Sequence, residues 1–270
     1  MAKLLHLSCS PRADSESSAG ARVFLDGFRQ ARPDWDIDVV DLWRERLPEF
    51  AGPIVEAKYA RMKAQPFNDA QRDSFAEAER MALRFSLADR VLISTPMWNF
   101  SIPYKLKQWF DIIVQPGLTF RFDPSLGYVP LLTDRPTTVI LASGSDFATG
   151  MNRGRIDMAT PYLREILRFI GISNVRFVPI GPTTGPQQPI EAARERAHQH
   201  LAAMAANFSA LLRTLRRFAT PIEASCASPA YANHGRLSRR KISMRMRSWS
   251  GLMGSPEQCA SRTRAADRAS

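Results

Sequence analysis

The 270-residue sequence predicts an α/β protein in which helices cover both faces of a doubly wound, five-stranded parallel sheet. Two observations support this three-layer α/β/α arrangement. Five short apolar segments that resemble buried strands alternate along the chain with longer segments of helical periodicity. The strands are also nearly continuous in apolar residues, which is typical of parallel sheets buried on both faces. Right-handed crossovers then leave chiefly the doubly wound topologies.

In the first half of the chain, apolar runs define the strands and apolar spacing of three or four residues defines the helices. Residues 43–66 break both patterns, and we expect them to be irregular with one helical turn near 55–61. The predicted elements are a strand at 3–7, a helix at 17–31, a strand at 36–42 and a helix at 69–88.

The second half continues the alternation. Pro103 suits the first turn of a helix, because its fixed φ fits that turn and its missing N–H costs nothing there. Residues 118–132 alternate in polarity and indicate an inserted hairpin, and 144–154 is a polar, glycine-containing loop. The predicted elements are strands at 91–93, 137–143 and 175–180, and helices from Pro103, at 158–170 and at 190–216.

The basic charge of the chain lies mainly in its last segment. Residues 216–270 contain 11 basic and 3 acidic side chains, whereas the other 215 residues contain 26 and 23. The last segment is also poor in large apolar residues, so it cannot bury enough surface to offset the entropy of ordering. We therefore predict a folded domain at 1–216 and a disordered basic tail at 217–270.

The cysteines and the apolar runs indicate a soluble, cytoplasmic protein. Cys9, Cys226 and Cys259 are widely spaced and form no C-x-x-C pair, which excludes a recognisable zinc ribbon and fits a reduced compartment. The apolar start is too short for a signal peptide. No apolar run approaches the roughly 20 residues that a membrane-spanning helix needs. We predict neither a metal site nor a membrane partner.

The first candidate site is the loop between the first strand and the first helix. Ser10, Ser15, Ser17 and Ser18 supply hydroxyl groups there, next to the free N–H groups and positive dipole of the helix N-terminus. The loop contains neither G-x-G-x-x-G nor the P-loop pattern, so a phosphomonoester held by side chains is favoured over a dinucleotide. A plain N-cap, which also favours serine, is an equally good interpretation of this loop alone.

Two further loops follow the third and fourth strands. Met97, Trp98, Asn99 and Phe100 offer flat apolar surface and backbone N–H groups, which suit a planar heterocycle with polar edges. Residues 143–146 (Ser143, Gly144, Ser145 and Asp146) form a small polar loop. Because the first, third and fourth strands are neighbours in a doubly wound sheet, we expect all three loops to meet at one edge. The alternatives are core packing for the aromatic residues and an ordinary polar loop for 143–146.

Several motifs resemble those of the FMN-dependent NAD(P)H azoreductase and quinone reductase family, whose fold is flavodoxin-like. The matching segments extend over residues 1 to about 205. They are Leu-Ser-Cys-Ser-Pro-Arg at 7–12, Ser-Glu-Ser at 15–17, Pro-Met-Trp-Asn-Phe-Ser-Ile-Pro at 96–103, Leu-Lys-Gln-Trp-Phe-Asp at 106–111, Gly-Leu-Thr-Phe-Arg-Phe at 117–122, Pro-Tyr-Leu at 161–163 and Phe-Ile-Gly-Ile at 169–172.

The resemblance implies which residues bind FMN. The phosphate would lie on Ser10 and on the turn of Ser15, Glu16 and Ser17, with Ser18 as a replacement for Ser17. The isoalloxazine ring would lie along residues 97–100, with its pyrimidine end near 143–146.

The resemblance also implies the reaction. In a ping-pong cycle, NADH or NADPH reduces the flavin, which then passes two electrons to a quinone or an aromatic azo compound. No catalytic side chain is required. The family is dimeric, and Phe120 and Phe122 are assigned to the substrate cavity, as part of the partner subunit; hairpin packing is an equally good interpretation of both.

Three other functions are alternatives to an FMN enzyme. A flavodoxin-type electron carrier would bind FMN without oxidising NAD(P)H itself, but the core has a slight positive charge, whereas such carriers are usually acidic. The arginine-rich tail suggests nucleic-acid binding, for which a nonessential extension is the favoured alternative. A serine hydrolase is unsupported because no G-x-S-x-G occurs. His198 and His200 are expected at the surface of the last helix.

Overall fold

The computed structural model describes the backbone of residues 1–147 and 151–218, and the side chains as far as Ala206 except that of Met151. The chain divides into two units, Met1–Thr214 and Leu215–Ser270. Of the tail predicted at 217–270, residues 219–270 lie outside the described residues, and residues 217–218 are the end of the last helix, so nearly all of the described residues belong to the first unit. None of the helices in the described ranges is both long and apolar enough to cross a membrane.

Nine strands and six helices are defined within these ranges. The strands are β1 (Lys3–Ser8), β2 (Asp36–Asp41), β3 (Arg90–Pro96), β4 (Phe120–Asp123), β5 (Gly127–Pro130), β6 (Thr137–Ala142), β7 (Met151–Asn152), β8 (Arg155–Ile156) and β9 (Val175–Ile180). The helices are α1 (Glu16–Ala31), α2 (Pro53–Met62), α3 (Asp69–Ser86), α4 (Tyr104–Ile113), α5 (Ala159–Phe169) and α6 (Gln187–Phe218).

Five of these strands form a parallel sheet in the order β2-β1-β3-β6-β9, which is a doubly wound arrangement. Ser8 at the end of β1 pairs with Ser94 of β3, and Pro96 at the end of β3 pairs with Ala142 of β6. The carboxyl ends of these neighbouring strands therefore meet at one edge of the sheet. The fold class predicted from the sequence is confirmed.

Each face of the sheet has its own apolar core, because alternate strand residues point to opposite faces. Leu4 packs with residues of α1 and α6 such as Phe24 and Leu201. Leu5 packs with residues of α3 and α4 such as Phe85 and Phe110. The two cores give the predicted three layers, with α1 and α6 on one face and α3, α4 and α5 on the other.

Three local features differ from the sequence prediction. The segment predicted as irregular contains α2, a helix of 10 residues that starts at Pro53 and buries Ile54, Ala57 and Ala60. Its apolar face is narrow, which explains why periodicity indicates only one turn. β7 of the short hairpin β7–β8 lies in the segment 144–154 predicted as a polar loop, and β8 directly follows that segment. Pro103 is the N-cap of α4 and not its first residue.

Gly171 provides a test of how α5 is anchored. Its φ is +107°, and a Cβ there would clash with the carbonyl oxygen of Leu132. Gly185 has a similar φ of +115°, but a Cβ at that position would have no other atom within 4 Å. We expect Gly171→Ala to lower the free energy of unfolding in urea by about 3 kcal/mol, from backbone strain and overpacking together. Gly185→Ala introduces backbone strain without overpacking, so it should lower the free energy of unfolding by about 1 kcal/mol. Equal losses would contradict this account.

Candidate functional site

Three loops leave the sheet side by side at the carboxyl edge. We call residues 9–15 loop A, residues 97–103 loop B and residues 143–147 loop C. The N–H of Cys9 donates to the carbonyl of Ser94, 2.9 Å away, and the N–H of Met97 donates to the carbonyl of Ala142, 2.6 Å away. These bonds extend the parallel ladder by one residue, so the starts of loops A, B and C lie next to one another.

Loop A ends at the N-terminus of α1, which Ser15 caps. The Ser15 hydroxyl oxygen accepts the N–H of Ser18 at 3.2 Å, and it lies 2.7 Å from the Ser18 hydroxyl. Ser17 is completely buried, whereas Ser10, Ser15 and Ser18 are partly exposed. The first turn of a helix leaves backbone N–H groups without intrahelical partners, and the helix dipole is positive there. Loop A therefore combines hydroxyl and amide donors in a place that favours an anion.

The side chain of Glu16 points away from this donor group toward α6. Its carboxylate accepts hydrogen bonds from Arg194, with Nε at 2.9 Å from Oε2. The hydrogen bond from Arg194 holds the pKa of Glu16 below its usual value, so the pair stays charged at neutral pH. Glu16 can thus offer an anion its backbone N–H but not its side chain. Of the two histidines on α6, His198 is half-buried and His200 is exposed.

Loop B begins with a tight turn. Trp98 and Ser101 exchange two backbone hydrogen bonds, 2.8 and 2.9 Å long, around Asn99 and Phe100. The φ angles are +48° at Asn99 and +71° at Phe100, as a type I′ turn requires. Asn tolerates this conformation, but for a bulky Phe it is strained by about 1–3 kcal/mol. Such strain persists only where neighbouring structure enforces it, and here the N–H of Met158 donates to the Phe100 carbonyl at 2.9 Å.

A cleft of about 410 Å³ opens beside this turn. Aromatic rings form much of the wall of this cleft. One of them belongs to Tyr162, and burial raises the pKa of its phenol, which therefore stays protonated. The ammonium group of Lys107 is paired with Asp111 at 2.6 Å. The cleft can accept a flat molecule against aromatic surface, and its lining includes Trp98, Asn99, Ile102, Tyr104, Lys107 and Tyr162.

Loop C is fixed by its own hydrogen bonds and by the loop after β9. The Ser143 hydroxyl donates to the Ser145 carbonyl at 2.7 Å, and the Thr184 hydroxyl donates to the Gly144 carbonyl at 2.9 Å. The Asp146 carbonyl accepts from the side-chain amide of Asn152 at 2.8 Å. A Cβ at position 181 would lie 2.7 Å from the Ser145 oxygen, so only glycine allows this approach.

Two buried titratable groups in or before loop A, His6 and Cys9, are uncharged at neutral pH. His6 is buried, its Nε2 lies 2.9 Å from the Ser94 hydroxyl, and burial lowers its pKa to about 4. Burial raises the pKa of the Cys9 thiol, which remains protonated and so is a poor nucleophile. Within residues 1–147 and 151–218, no cluster of side chains is suited to hold a metal ion. The arrangement is suited to binding and orienting a molecule.

The structure does not bring Phe120 and Phe122 to the cleft. Phe120 is buried, with its ring centroid 5.0 Å from that of Phe169. Phe122 is exposed on the outer surface of the β4–β5 hairpin and contacts Tyr128, at 5.5 Å between centroids. A role for Phe122 in a substrate cavity therefore requires a second subunit.

Sequence reasoning missed several residues that shape the site. Thr184 and Asn152 fix loop C, Tyr104 and Tyr162 line the cleft, and Trp43 contacts both loop A and loop B. Thr184 lies in the loop after β9, and the glycine and proline residues at 181, 182, 185 and 186 are a sequence signal for that loop. Tyr104 directly follows loop B and Asn152 lies six residues after Asp146, whereas Trp43 and Tyr162 reach the site from distant parts of the chain.

The strain at Phe100 can be measured by comparing two replacements. Because glycine adopts a positive φ freely, we expect Phe100→Gly to be more stable to urea than Phe100→Ala by about 1 kcal/mol. At Phe122, an exposed strand residue, the order should reverse, with the Ala variant more stable by about 0.5–1 kcal/mol. The same order at both positions would show that Phe100 is not strained.

Comparison with known proteins places this fold and site in a family. A family model described as a flavodoxin-like fold matches residues 2–202. The chain is 84% identical over 208 residues to FMN-dependent NADH:quinone oxidoreductase 1 of Bradyrhizobium diazoefficiens, covering 77% of this chain and 100% of that protein. It is 38% identical over 210 residues to FMN-dependent NADH:quinone oxidoreductase of Nitratidesulfovibrio vulgaris, with the same coverage of both chains.

Solved structures agree on the fold. An azoreductase from Bacillus anthracis has a TM-score of 0.70 and 23% identity, and the match covers 77% of this chain and all of that one. An FMN-dependent NADH-azoreductase from the same species, solved in complex with FMN, has a TM-score of 0.66 over 76% of this chain and all of that one. The predicted family is confirmed: the chain belongs to the flavodoxin-like family that includes the FMN-dependent NADH:quinone oxidoreductases of these bacteria.

Proposed function

We propose that the protein is an FMN-dependent oxidoreductase that transfers two electrons from NADH to quinones and aromatic azo compounds. The observation that carries the proposal is the meeting of two different binding surfaces at one sheet edge. Loop A offers hydroxyl and amide donors at a helix N-terminus, and loop B offers aromatic surface on a strained turn beside an open cleft. A phosphorylated molecule with a flat ring matches both surfaces together, and FMN has these two parts.

The residues of loop A fit the phosphate of FMN. We assign to it the hydroxyl groups of Ser10, Ser15 and Ser18 and the backbone N–H groups of Glu16 and Ser17. The hydroxyls of Ser15 and Ser18 are already 2.7 Å apart, so one phosphate oxygen can contact both. The donors act together with the helix dipole, which favours negative charge at this end.

The ring of FMN is assigned to loops B and C. Met97, Trp98, Asn99 and Phe100 would lie along the isoalloxazine, and residues 143–146 (Ser143, Gly144, Ser145 and Asp146) would lie near its pyrimidine end. Hydrogen bonds fix both loops. The N–H of Met158 donates to the Phe100 carbonyl in loop B, and the Thr184 hydroxyl donates to the Gly144 carbonyl in loop C. Because loops B and C are fixed, they would need to rearrange little when FMN binds or is reduced.

FMN held by these residues would supply the hydride-accepting and two-electron-donating chemistry that a ping-pong cycle between NADH and the acceptor requires. The protein contributes binding and orientation. The cleft beside Trp98 is the place where nicotinamide and acceptor would stack in turn. Protonated Tyr162 is a donor there for a polar edge of either molecule.

The proposal is tested with purified full-length protein and FMN under anaerobic conditions. We expect NADH alone to bleach the visible flavin absorbance within seconds, and a soluble quinone or an azo dye to restore it. Slow bleaching that requires an added reductase would instead assign the protein as an electron carrier. The variant Ser18→Asp should raise the Kd for FMN at least about tenfold by charge repulsion, whereas Gln30→Asp, which adds the same charge at an exposed position near the other end of α1, should not change it.

We further propose that the active form is a homodimer in which Phe122 of each subunit completes the cavity of the other, with buried Phe120 supporting it. The support is the exposed apolar surface of the β4–β5 hairpin, where Leu126 is 72% exposed and Phe122 is 59% exposed. We also propose a cytoplasmic location, because the reaction needs a supply of NADH.

Sedimentation of the FMN-loaded chain tests the dimer. We expect twice the chain mass for the natural protein and a shift toward monomer for the double variant Phe122→Ser/Leu126→Ser. The matched double variant Leu83→Ser/Leu87→Ser changes two exposed leucines in and just after α3 and should stay dimeric. A natural protein that sediments as a monomer at micromolar concentration would refute the dimer.

A further inference from the structure

Trp43 lies outside loops A, B and C. It follows β2 closely, and its backbone N–H donates to the Asp41 carboxylate at 3.0 Å. The side chain is half-buried. β2 is the neighbour of β1 in the sheet, so Trp43 emerges at the same carboxyl edge as loop A.

The indole of Trp43 contacts loop A through a hydrogen bond. Its Nε1–H donates to the carbonyl oxygen of Cys9 at 3.1 Å. Cys9 is the first residue of loop A and stands directly before Ser10. The bond therefore fixes the peptide plane from which the serine-containing turn starts.

The same ring contacts loop B by aromatic packing. The centroid of the Trp43 ring lies 5.7 Å from that of Trp98, with the planes tilted by 54°. It also lies 5.4 Å from the Tyr104 ring in an edge-to-face arrangement at 84°. Both distances are within the range of favourable aromatic pairs. Trp98 starts the strained turn and Tyr104 starts α4, so Trp43 supports both ends of loop B.

One rigid side chain thus spans the two loops. An indole has only two side-chain torsions, and here both its polar atom and its ring are engaged. Moving loop A away from loop B would break the hydrogen bond to Cys9 or the packing on Trp98. The distance between the phosphate donors of loop A and the aromatic turn of loop B therefore depends on Trp43.

We propose that Trp43 is a positioning residue that holds the phosphate-binding turn and the ring-binding turn at the separation that FMN requires. This inference rests on the proposed function, because it assigns FMN to loops A and B. Trp43 acts through Cys9 and Trp98 and is not assigned a contact with the cofactor.

The proposal predicts different effects on FMN and on riboflavin, which has the ring but lacks the phosphate. Trp43→Phe keeps an aromatic ring against Trp98 but removes the N–H. It should raise the Kd for FMN about threefold to tenfold, the range expected for one lost hydrogen bond, and leave the Kd for riboflavin unchanged. Trp43→Ala also removes the packing on Trp98, so it should raise the riboflavin Kd by roughly threefold or more.

The measurement is a titration of the apoprotein with each flavin, followed by flavin fluorescence. Trp35→Phe is the matched control, because Trp35 packs edge-on against Phe28 next to the start of β2, at the other end of that strand. Replacing Trp43 with benzothienylalanine, an isostere of tryptophan that lacks the N–H, provides a second variant of nearly unchanged shape. It should give the same selective loss for FMN as Trp43→Phe.

The outcomes separate this inference from the proposed function. Natural protein that binds FMN more tightly than riboflavin, with a preference for FMN that falls in both N–H-deficient variants, supports the inference. Natural protein that binds FMN while both variants keep the natural preference overturns the inference and leaves the function standing. Natural protein that binds neither flavin overturns both. A purely structural role would lower the free energy of unfolding without changing the preference.

Discussion

The parallel direction of neighbouring strands is the constraint on which the site depends. Because β1, β3 and β6 point the same way, their carboxyl ends share one edge of the sheet, and loops A, B and C must start there together. The two flanking strands add to this edge: β2 leads into Trp43, and β9 leads into the loop that fixes loop C. Each strand of the sheet therefore contributes to one surface, although the residues concerned are far apart in the sequence.

The site is built to be rigid. The strained turn at Phe100 is held by Met158, and the close approach of loop C is possible because residue 181 is glycine. The Glu16–Arg194 pair joins the start of α1 to α6 at a point next to the serine hydroxyls. A protein whose cofactor performs the chemistry needs fixed donors and a fixed ring surface more than it needs reactive side chains. The buried, uncharged His6 and Cys9 agree with this division of roles.

The sequence was sufficient for the sheet, the layers and the family, because each of these depends on local patterns. Apolar runs defined the strands at 3–7, 91–93 and 137–143, segments that mix apolar and polar residues defined those at 36–42 and 175–180, and the segments 96–103 and 117–122 carried specific motifs. The helix α2 was missed because its buried face has only Ile54, Ala57 and Ala60. Contacts between distant residues leave no periodic signal: Arg194 is 178 residues from Glu16, and Trp43 is 34 residues from Cys9. The site residues themselves remain predictions, now with a geometry against which they can be tested.

The most direct test of the account is a crystal structure of the full-length protein grown with FMN. We expect the FMN phosphate within hydrogen-bond distance of the Ser15 and Ser18 hydroxyls and the isoalloxazine ring against residues 97–100. A flavin whose phosphate lies away from the N-terminus of α1, or whose ring lies outside the cleft beside Trp98, would contradict it.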